Sequence, residues 1–421
     1  MWSKPGNPVP IDPSQVVVGL YIWLDMPWAD HPFLTSRVMV RTSADVRVIQ
    51  ASDPKGRLYY YPERSTVVPP PVQTARWMAT ADERDALAAQ MESRRESKRR
   101  RQARHSAAQS TAGRNWDAAA RATREALANF TQSPRTAGAR LVQLSSQAAR
   151  AITHGQRVLL HLLGDRNGKG HHYHALNTMT LGLLLGRHAG LNERELADLA
   201  LGALAHDAGK AQVPPAILHS PRRRKFEEDF YRQHVRYSLQ LAEQSGAFSP
   251  GALAVVADHH EAADGTGWPR GTGEAGKPAL VLALVNRFDR LCTPEAAERE
   301  SMTPTEALAF MFRHESARFG AALLGQFINL LGVYPPGTYV QLAGGALGMV
   351  VSPGQQSLQP KVLVYSPETA RENAPILDLG EEPELKIMEA LRPEALPPDV
   401  LEWLNPQQSM TFYYSTHEDN G

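Results

Sequence analysis

Histidines recur through the middle of this chain at intervals of about one helix and one turn. Nine of the 15 histidines lie between His171 and His260. One ordered series, with 25 to 32 residues between successive members, consists of His174, the pair His206-Asp207, His234 and the pair His259-His260. Such intervals favour a bundle of helices whose matching ends bring these side chains together.

The residue types of this series are those of a metal centre. Adjacent residues on a helix point about 100° apart, so His206 and Asp207 need ligands from other helices to hold a metal ion. Imidazole and carboxylate groups bind iron, manganese, zinc or nickel well. Two metals about 3.5–4 Å apart clamp a phosphoryl group and lower the pKa of a bridging water. The series therefore predicts phosphodiester hydrolysis, with Asp207 bridging two metals and Lys210 offsetting negative charge on the phosphate.

Helical periodicity surrounds the series, from residue 115 to about residue 331. Apolar residues recur there at three- and four-residue spacing. Asn192 followed by Glu195 predicts a capping box at the start of one helix. We expect Leu196 and Leu199 on the buried face of that helix, and the same face leads on to Asp207.

The segments on either side of the helical region predict β-structure. Short strands are expected at residues 16–22, 38–40 and 57–61, and again at 337–342, 348–351 and 361–365. The charged run at 91–101 is interpreted as a solvated helical connector, with a basic contact for an acidic partner as the alternative. A helix is predicted at 385–391, followed by a frayed polar end.

The composition of the chain limits the kinds of partner and the cellular compartment that we expect for this protein. Lys and Arg total 45 against 44 Asp and Glu, so no overall charge attracts nucleic acid or a membrane. The single cysteine, Cys292, excludes an intrachain disulfide and fits a reducing compartment. The N-terminus is unlike a signal peptide, and the apolar stretches are too short to span a bilayer. We therefore expect a cytoplasmic protein without a DNA partner or a membrane span.

A second motif directly follows the histidine pair. It consists of Asp264, Gly265, Thr266, Gly267, Trp268 and Pro269. The two glycines and the proline predict a tight loop. Two interpretations stay open: a structural turn, or a loop beside the site whose Trp268 stacks on a base or contacts a partner protein.

These motifs resemble a known family. His206-Asp207-Ala208-Gly209-Lys210 resembles the HD-x-GK core of the HD superfamily. The run from His259 to Pro269 is similar to the HHExxDGxGYP signature of the HD-GYP subfamily, with Trp268 at the tyrosine position. The resemblance covers about residues 141–331, and residues from about 11 to 129 resemble the N-terminal domain often found before HD-GYP domains.

The resemblance implies a mainly α fold: an HD-superfamily helical bundle with a small N-terminal β-containing domain and a short C-terminal β appendage. The predicted divisions are 1–70 (β-rich regulatory domain), 71–135 (charged helical connector), 136–333 (HD-GYP-like phosphohydrolase domain), 334–375 (β appendage) and 376–421 (tail). Cyclic di-GMP is the implied substrate, with pGpG or GMP as product. Diguanylate cyclases (GGDEF proteins) and other signalling proteins are candidate partners, and the oligomeric state stays open.

The resemblance also implies a ligand set for two divalent metals, iron, manganese or another transition metal. One metal would take His174, His206, Asp207 and the residue at position 286. The other would take Asp207, His234, His259 and His260, with Lys210 contacting the scissile phosphate.

The sequence departs from the family pattern at several positions. Asn286 stands where the family has an aspartate ligand, which removes a negative charge from the first metal site. A lysine expected after Ile217-Leu218 is missing, and the basic run 222–225 is a candidate replacement. Gly170 stands where members with three metals carry a glutamate, which implies at most two metals.

Three hypotheses follow. The first is a cyclic di-GMP phosphodiesterase with a dinuclear centre. The second is a degenerate HD-GYP module that binds cyclic di-GMP or a partner protein without catalysis, which Asn286, Trp268 and the missing loop lysine favour. The third keeps the metal centre and changes the substrate to another nucleotide, since a fold does not determine a substrate.

Overall fold

A computed structural model of the chain describes residues 7–25, 33, 37–51, 57–72, 89, 93, 96, 100, 114–154, 157–162, 170–220, 222–293, 301–343, 345–366, 371, 374, 376–381, 385–405 and 412–417. The chain divides into two compact units. The N-terminal unit comprises the described residues up to 109, with those of 342–347 and 363–377. The helical unit comprises the described residues of 110–341, 348–362 and 378–421. The five-part division of the sequence stays a prediction.

The helices of the described residues are α1 (Ser43–Ala51), α2 (114–128), α3 (Pro134–His154), α4 (His171–His188), α5 (Glu193–Ala205), α6 (Pro215–Leu218), α7 (Lys225–Arg232), α8 (His234–Ser245), α9 (Pro250–Asp258), α10 (Lys277–Cys292), α11 (Pro304–His314), α12 (Ser316–Phe319), α13 (Ala321–Leu331) and α14 (Pro398–Leu404). The strands are β1 (Val9–Pro10), β2 (Tyr21–Leu24), β3 (Arg37–Met39), β4 (Leu58–Tyr60), β5 (Arg157–Leu162), β6 (Tyr339–Leu342), β7 (Leu347–Ser352), β8 (Lys361–Val364), β9 (Ile376–Asp378), β10 (Ile387–Leu391) and β11 (Phe412–His417). The mainly helical class predicted from the sequence is confirmed. No helix in the described part of the chain is long and apolar enough to cross a membrane.

The N-terminal unit contains a four-stranded sheet in the order β1-β4-β2-β3. In β2, Ile22 lies opposite Val38 on one side and Tyr60 on the other, both in antiparallel register. The side chain of Ile22 is buried with Leu24 and other apolar residues. The first predicted strand begins later than expected, at Tyr21, because a turn at residues 18–19, where Gly19 has a φ of 100°, precedes it.

Helices α4 and α5 form the centre of the helical unit. Helix α4 is buried on nearly every side, from His174 to Gly186, as expected of a helix that is apolar all round. Helix α5 has the predicted capping box: the Asn192 side chain accepts from the backbone N–H of Glu195 at 3.0 Å, and Glu195 accepts from that of Asn192 at 2.9 Å. Around this pair pack α3, α9 and α10.

Two predictions of secondary structure, one within residues 115–331 and one near the end of the chain, are wrong. The region predicted to be helical, from residue 115 to about residue 331, contains strand β5. It pairs antiparallel with β11, which lies in the segment expected to fray. A short apolar run fits a helix or a strand equally well, and the partner strand lies about 250 residues away. The helix predicted at 385–391 is strand β10, which pairs with β6 at the edge of a sheet ordered β10-β6-β7-β8-β9. Pairing there overrides the helix propensity of its residues.

Candidate metal centre

Two glycines let the helices that carry the candidate ligands approach closely. A Cβ atom at Gly209 would lie 2.2 Å from the backbone oxygen of His234, the first residue of α8. The backbone N–H of Gly209 also donates to Ser238 Oγ at 2.8 Å. A Cβ at Gly202 would lie 2.3 Å from a methyl carbon of Val255 in α9. The contacts place Asp207, which follows α5, beside the start of α8 and near the end of α9.

The predicted ligands fall into two groups that share Asp207. Site A consists of His174, His206 and Asp207. Site B consists of Asp207, His234, His259 and His260. Within each site, one candidate ligand atom per residue lies within 4.8 Å of every other.

The two carboxylate oxygens of Asp207 face different sites. In site A, Oδ2 lies 3.4 Å from His206 Nε2 and 3.6 Å from His174 Nε2. In site B, Oδ1 lies 3.4 Å from His234 Nε2 and 3.9 Å from His259 Nε2. The geometry suits a carboxylate that contributes one oxygen to each site.

Hydrogen bonds set the orientation of the imidazole rings. In three rings the Nδ1 atom lies close to a backbone oxygen three residues earlier. The distances are 2.8 Å from His206 Nδ1 to the Ala203 oxygen, 2.7 Å from His234 Nδ1 to the Tyr231 oxygen, and 2.8 Å from His259 Nδ1 to the Val256 oxygen. A carbonyl oxygen only accepts, so each Nδ1 carries the proton and each neutral ring presents the lone pair of Nε2. Burial lowers the pKa of His234 to about 4 and that of His259 well below its usual value. The rings of His234 and His259 are therefore neutral, the form that binds metals.

Unsatisfied atoms support a bound cation. His206 Nε2 and His174 Nε2 face each other at 3.3 Å, as do His260 Nε2 and His234 Nε2. Asp207 Oδ1 and His259 Nε2 are buried and have no hydrogen-bond partner among the described residues. Buried polar atoms without a partner are costly. The donor set of site B therefore fits a divalent transition metal.

Two positively charged side chains contact Oδ2, the carboxylate oxygen of Asp207 that faces site A. Arg290 Nη2 is 2.5 Å and Lys210 Nζ is 2.8 Å from Asp207 Oδ2. Burial opposes ionisation of Asp207, but the positive charges of Lys210 and Arg290 hold its pKa well below the usual range. Asp207 is therefore a carboxylate, while Lys210 is itself buried, with 3% of its surface exposed.

Helix α10 contributes residues that we did not single out in the sequence. Asp289 Oδ2 accepts a hydrogen bond from His174 Nδ1 at 2.6 Å, and Asp289 Oδ1 accepts from Asn177 Nδ2 at 2.9 Å. Burial raises the pKa of Asp289 to about 6. Asp289 and Arg290 lie three and four residues after Asn286, so they share its face of the helix. This spacing was the feature of the sequence from which a position on the same helix face as Asn286 could have been predicted.

A cavity of about 340 Å³ adjoins site B, whose His259 and His260 line part of its wall. Among the described residues that line it, the charged ones are Lys210, Arg223, Glu228, Arg287, Arg290 and Arg318. Asn286 also lies on the cavity wall, as do the aromatic rings of Tyr231 and Trp268. The guanidinium of Arg223, from the basic run 222–225, lies over the Tyr231 ring at 3.7 Å. The lining suits an anionic ligand with aromatic parts.

The loop after the histidine pair is held by a buried carboxylate. Glu261 accepts from the backbone N–H groups of Arg270 at 2.6 Å and of Gly271 at 3.1 Å. The Trp268 ring stacks on His260, with 4.1 Å between ring centres. Asp264 accepts from the backbone N–H of Thr266 at 3.0 Å, which is a local turn contact. The structure thus places Trp268 against a site B histidine.

The remaining loop positions have structural contacts. Gly265 has a positive φ of 75°, a conformation that favours glycine. A Cβ at Gly267 would lie 2.4 Å from the backbone nitrogen of Ala262. Pro269 follows Trp268 directly.

Comparison with known proteins identifies two domains. A family model described as "HD domain" matches residues 142–323. A model described as "Domain of unknown function (DUF3391)" matches residues 9–140. The matches agree with the two resemblances found in the sequence.

Curated relatives match parts of the chain. It is 26% identical over 250 residues to the cyclic di-GMP phosphodiesterase PA4108 of Pseudomonas aeruginosa, over 56% of this chain and 58% of that protein. It is 31% identical over 141 residues to the cyclic di-GMP phosphodiesterase response regulator RpfG of Xanthomonas campestris, over 32% and 37%. It is 35% identical over 140 residues to the 3'3'-cGAMP-specific phosphodiesterase 1 of Vibrio cholerae, over 31% and 30%. The chain thus spans between 30% and 58% of the length of these relatives. From the two domain matches, the chain carries an HD domain preceded by a domain of the DUF3391 family.

Proposed function

We propose that this chain is a metal-dependent phosphodiesterase that hydrolyses cyclic di-GMP to pGpG or GMP. The observation that carries the proposal is the pair of ligand groups sharing Asp207 beside a cavity rich in cations. Two of the relatives described above are named cyclic di-GMP phosphodiesterases. We propose a cytoplasmic location as well, which the single buried cysteine supports.

The residues of the site have separate roles in this proposal. Asp207, His234, His259 and His260 would hold one metal, and His174, His206 and Asp207, with Asn286 on the cavity wall, are the candidate ligands of a second. Bound divalent metals polarise a phosphoryl oxygen and lower the pKa of water. Lys210 lies 2.8 Å from the shared carboxylate, where its charge can offset negative charge on the reacting phosphate.

The cavity supports a cyclic dinucleotide as substrate. Such a molecule carries two phosphates and two purine bases. Arg223, Arg287 and Arg318 offer guanidinium groups, which match phosphate oxygens in geometry. The rings of Tyr231 and Trp268 offer surfaces on which bases stack.

Hydrolysis by the purified chain tests the proposal. The chain is loaded with Mn²⁺ or Fe²⁺ under reducing conditions, and cyclic di-GMP, pGpG and GMP are followed by chromatography beside the variant Asp207→Ala. We expect turnover in the wild type and none in the variant. A metal-loaded wild type without turnover would contradict the proposal.

A second candidate substrate is 3'3'-cGAMP. It is favoured by the relative that is 35% identical over 140 residues and is named as specific for that compound. Competition among cyclic di-GMP, 3'3'-cGAMP, dNTPs and ppGpp separates the candidates. The substrate with the largest kcat/KM identifies the activity.

The non-catalytic alternative has its own test. Asn286 brings no charge to the cavity wall, where the family pattern has a carboxylate. A large gain in turnover in Asn286→Asp would indicate a weakened enzyme. Binding of cyclic di-GMP without turnover in both proteins would indicate a binding module. A partnership with diguanylate cyclases stays a prediction from the resemblance.

A further inference from the structure

Arg290 contacts the carboxylate oxygen of Asp207 that a metal ion in site A would need as a ligand. Its Nη2 is 2.5 Å from Asp207 Oδ2, and Lys210 Nζ is 2.8 Å from the same oxygen. That oxygen is the one that faces the Nε2 atoms of His206 and His174, at 3.4 and 3.6 Å. The carboxylate oxygen of site A therefore already has two cationic partners.

We propose that Arg290 competes with metal at site A, so that the centre binds one divalent ion tightly, in site B, and a second only when Arg290 is displaced. An arginine stays protonated at every working pH, so the competing charge is permanent. A metal in site A would have to replace the guanidinium and lie beside Lys210, and both changes disfavour a divalent cation.

Helix α10 reinforces this asymmetry. Asn286 and Arg290 are four residues apart and share one face of the helix. Position 286 supplies a neutral amide rather than a carboxylate, and position 290 supplies a positive charge. Helix α10 therefore weakens cation binding at site A in two ways: one residue lacks a negative charge, and the other carries a positive charge.

Site B has the opposite character. Asp207 Oδ1 and His259 Nε2 are buried there without a hydrogen-bond partner in the described part of the chain. A metal in site B would satisfy both atoms and displace no protein cation from Oδ1. The inference rests on the proposed function only in requiring that the chain bind a divalent metal, and it holds for any substrate.

Metal counting tests the proposal directly. The full chain is dialysed against graded Mn²⁺, bound manganese per chain is measured by plasma mass spectrometry, and spin-coupled pairs are detected by electron paramagnetic resonance. The wild type should bind one ion tightly and give an uncoupled signal. Arg290→Met, which keeps an unbranched stem and removes the guanidinium group with its charge, should bind a second ion about 10–100-fold more tightly than the wild type does and give a coupled signal.

Arg287→Met is the matched control. Arg287 lies on the same helix and pairs with Glu315 at 2.6 Å, so its loss should leave the count at one. Circular dichroism verifies that each variant folds. Two ions of similar affinity in the wild type, or one ion in both the wild type and Arg290→Met, would overturn the inference. No tight ion in the wild type would refute the proposed function together with it, and this outcome is distinct from a metal-loaded protein without turnover.

Discussion

Site A and site B share one carboxylate and offer similar ligands, yet their surroundings differ. In site B the facing oxygen of Asp207 has no hydrogen bond among the described residues. In site A the other oxygen is in contact with Lys210 and Arg290. The comparison teaches that a list of ligands does not determine how many metals a centre binds, because neighbouring charges set the affinity of each position.

Loss of the shared ligand should have the largest effect. In Asp207→Ala both sites lose an oxygen ligand, and Lys210 and Arg290 each lose the carboxylate oxygen that they contact. We expect hydrolysis to fall on the order of 10³-fold or more, with loss of tight manganese. Activity assays and metal analysis measure this, with Asp229→Ala as the control since Asp229 is exposed. Retention of the tight ion in Asp207→Ala would contradict the shared role.

One histidine from each site provides the next contrast. His259→Ala should weaken the tight manganese ion by more than about 100-fold, because it removes a direct ligand from site B. His206→Ala should change that dissociation constant by less than about tenfold. Isothermal titration with Mn²⁺ compares the two variants. Equal losses would mean that the tight ion lies between the sites rather than in site B.

The close approach at Gly209 can be tested through stability. A Cβ in Gly209→Ala would lie 2.2 Å from a backbone oxygen of α8, so the chain must shift. We expect the free energy of unfolding to fall by about 1–3 kcal/mol. Denaturant unfolding measures this, and Gly325→Ala is the control because no heavy atom lies within 4 Å of a Cβ there. A Gly209→Ala protein as stable as the control would show that the contact relaxes freely.

The smallest expected effect concerns Asp289, which orients His174. Asp289→Asn keeps an oxygen that accepts from His174 Nδ1 and removes the charge. In the Arg290→Met background, the second manganese ion should bind about tenfold more weakly, and the first should be unchanged. Stepwise titration resolves the two constants. An equal change in both would place Asp289 in the packing of the whole centre.

The spacing of the histidines was enough to predict which helices meet, because matching helix ends recur at that interval. The capping box at Asn192 was equally readable, since it is a local contact. The spacing from Asn286 placed Arg290 on the same helix face, but its contact with Asp207 was not predicted, because that contact joins two helices. The pairing of β5 with β11 escaped prediction for a related reason: strands about 250 residues apart carry no sign of each other.

The buried carboxylate of Glu261 has a consequence for the loop that follows the histidine pair. Glu261 has 1% of its surface exposed, and its carboxylate accepts hydrogen bonds from the backbone N–H groups of Arg270 and Gly271 at the end of the loop. The side chain of Glu261, at the start of the loop, is thus hydrogen-bonded to the backbone at the end of the loop. These hydrogen bonds do not involve the side chain at position 268. The aromatic side chain at position 268 can therefore differ from the tyrosine of the family signature while Glu261 keeps both hydrogen bonds to the loop.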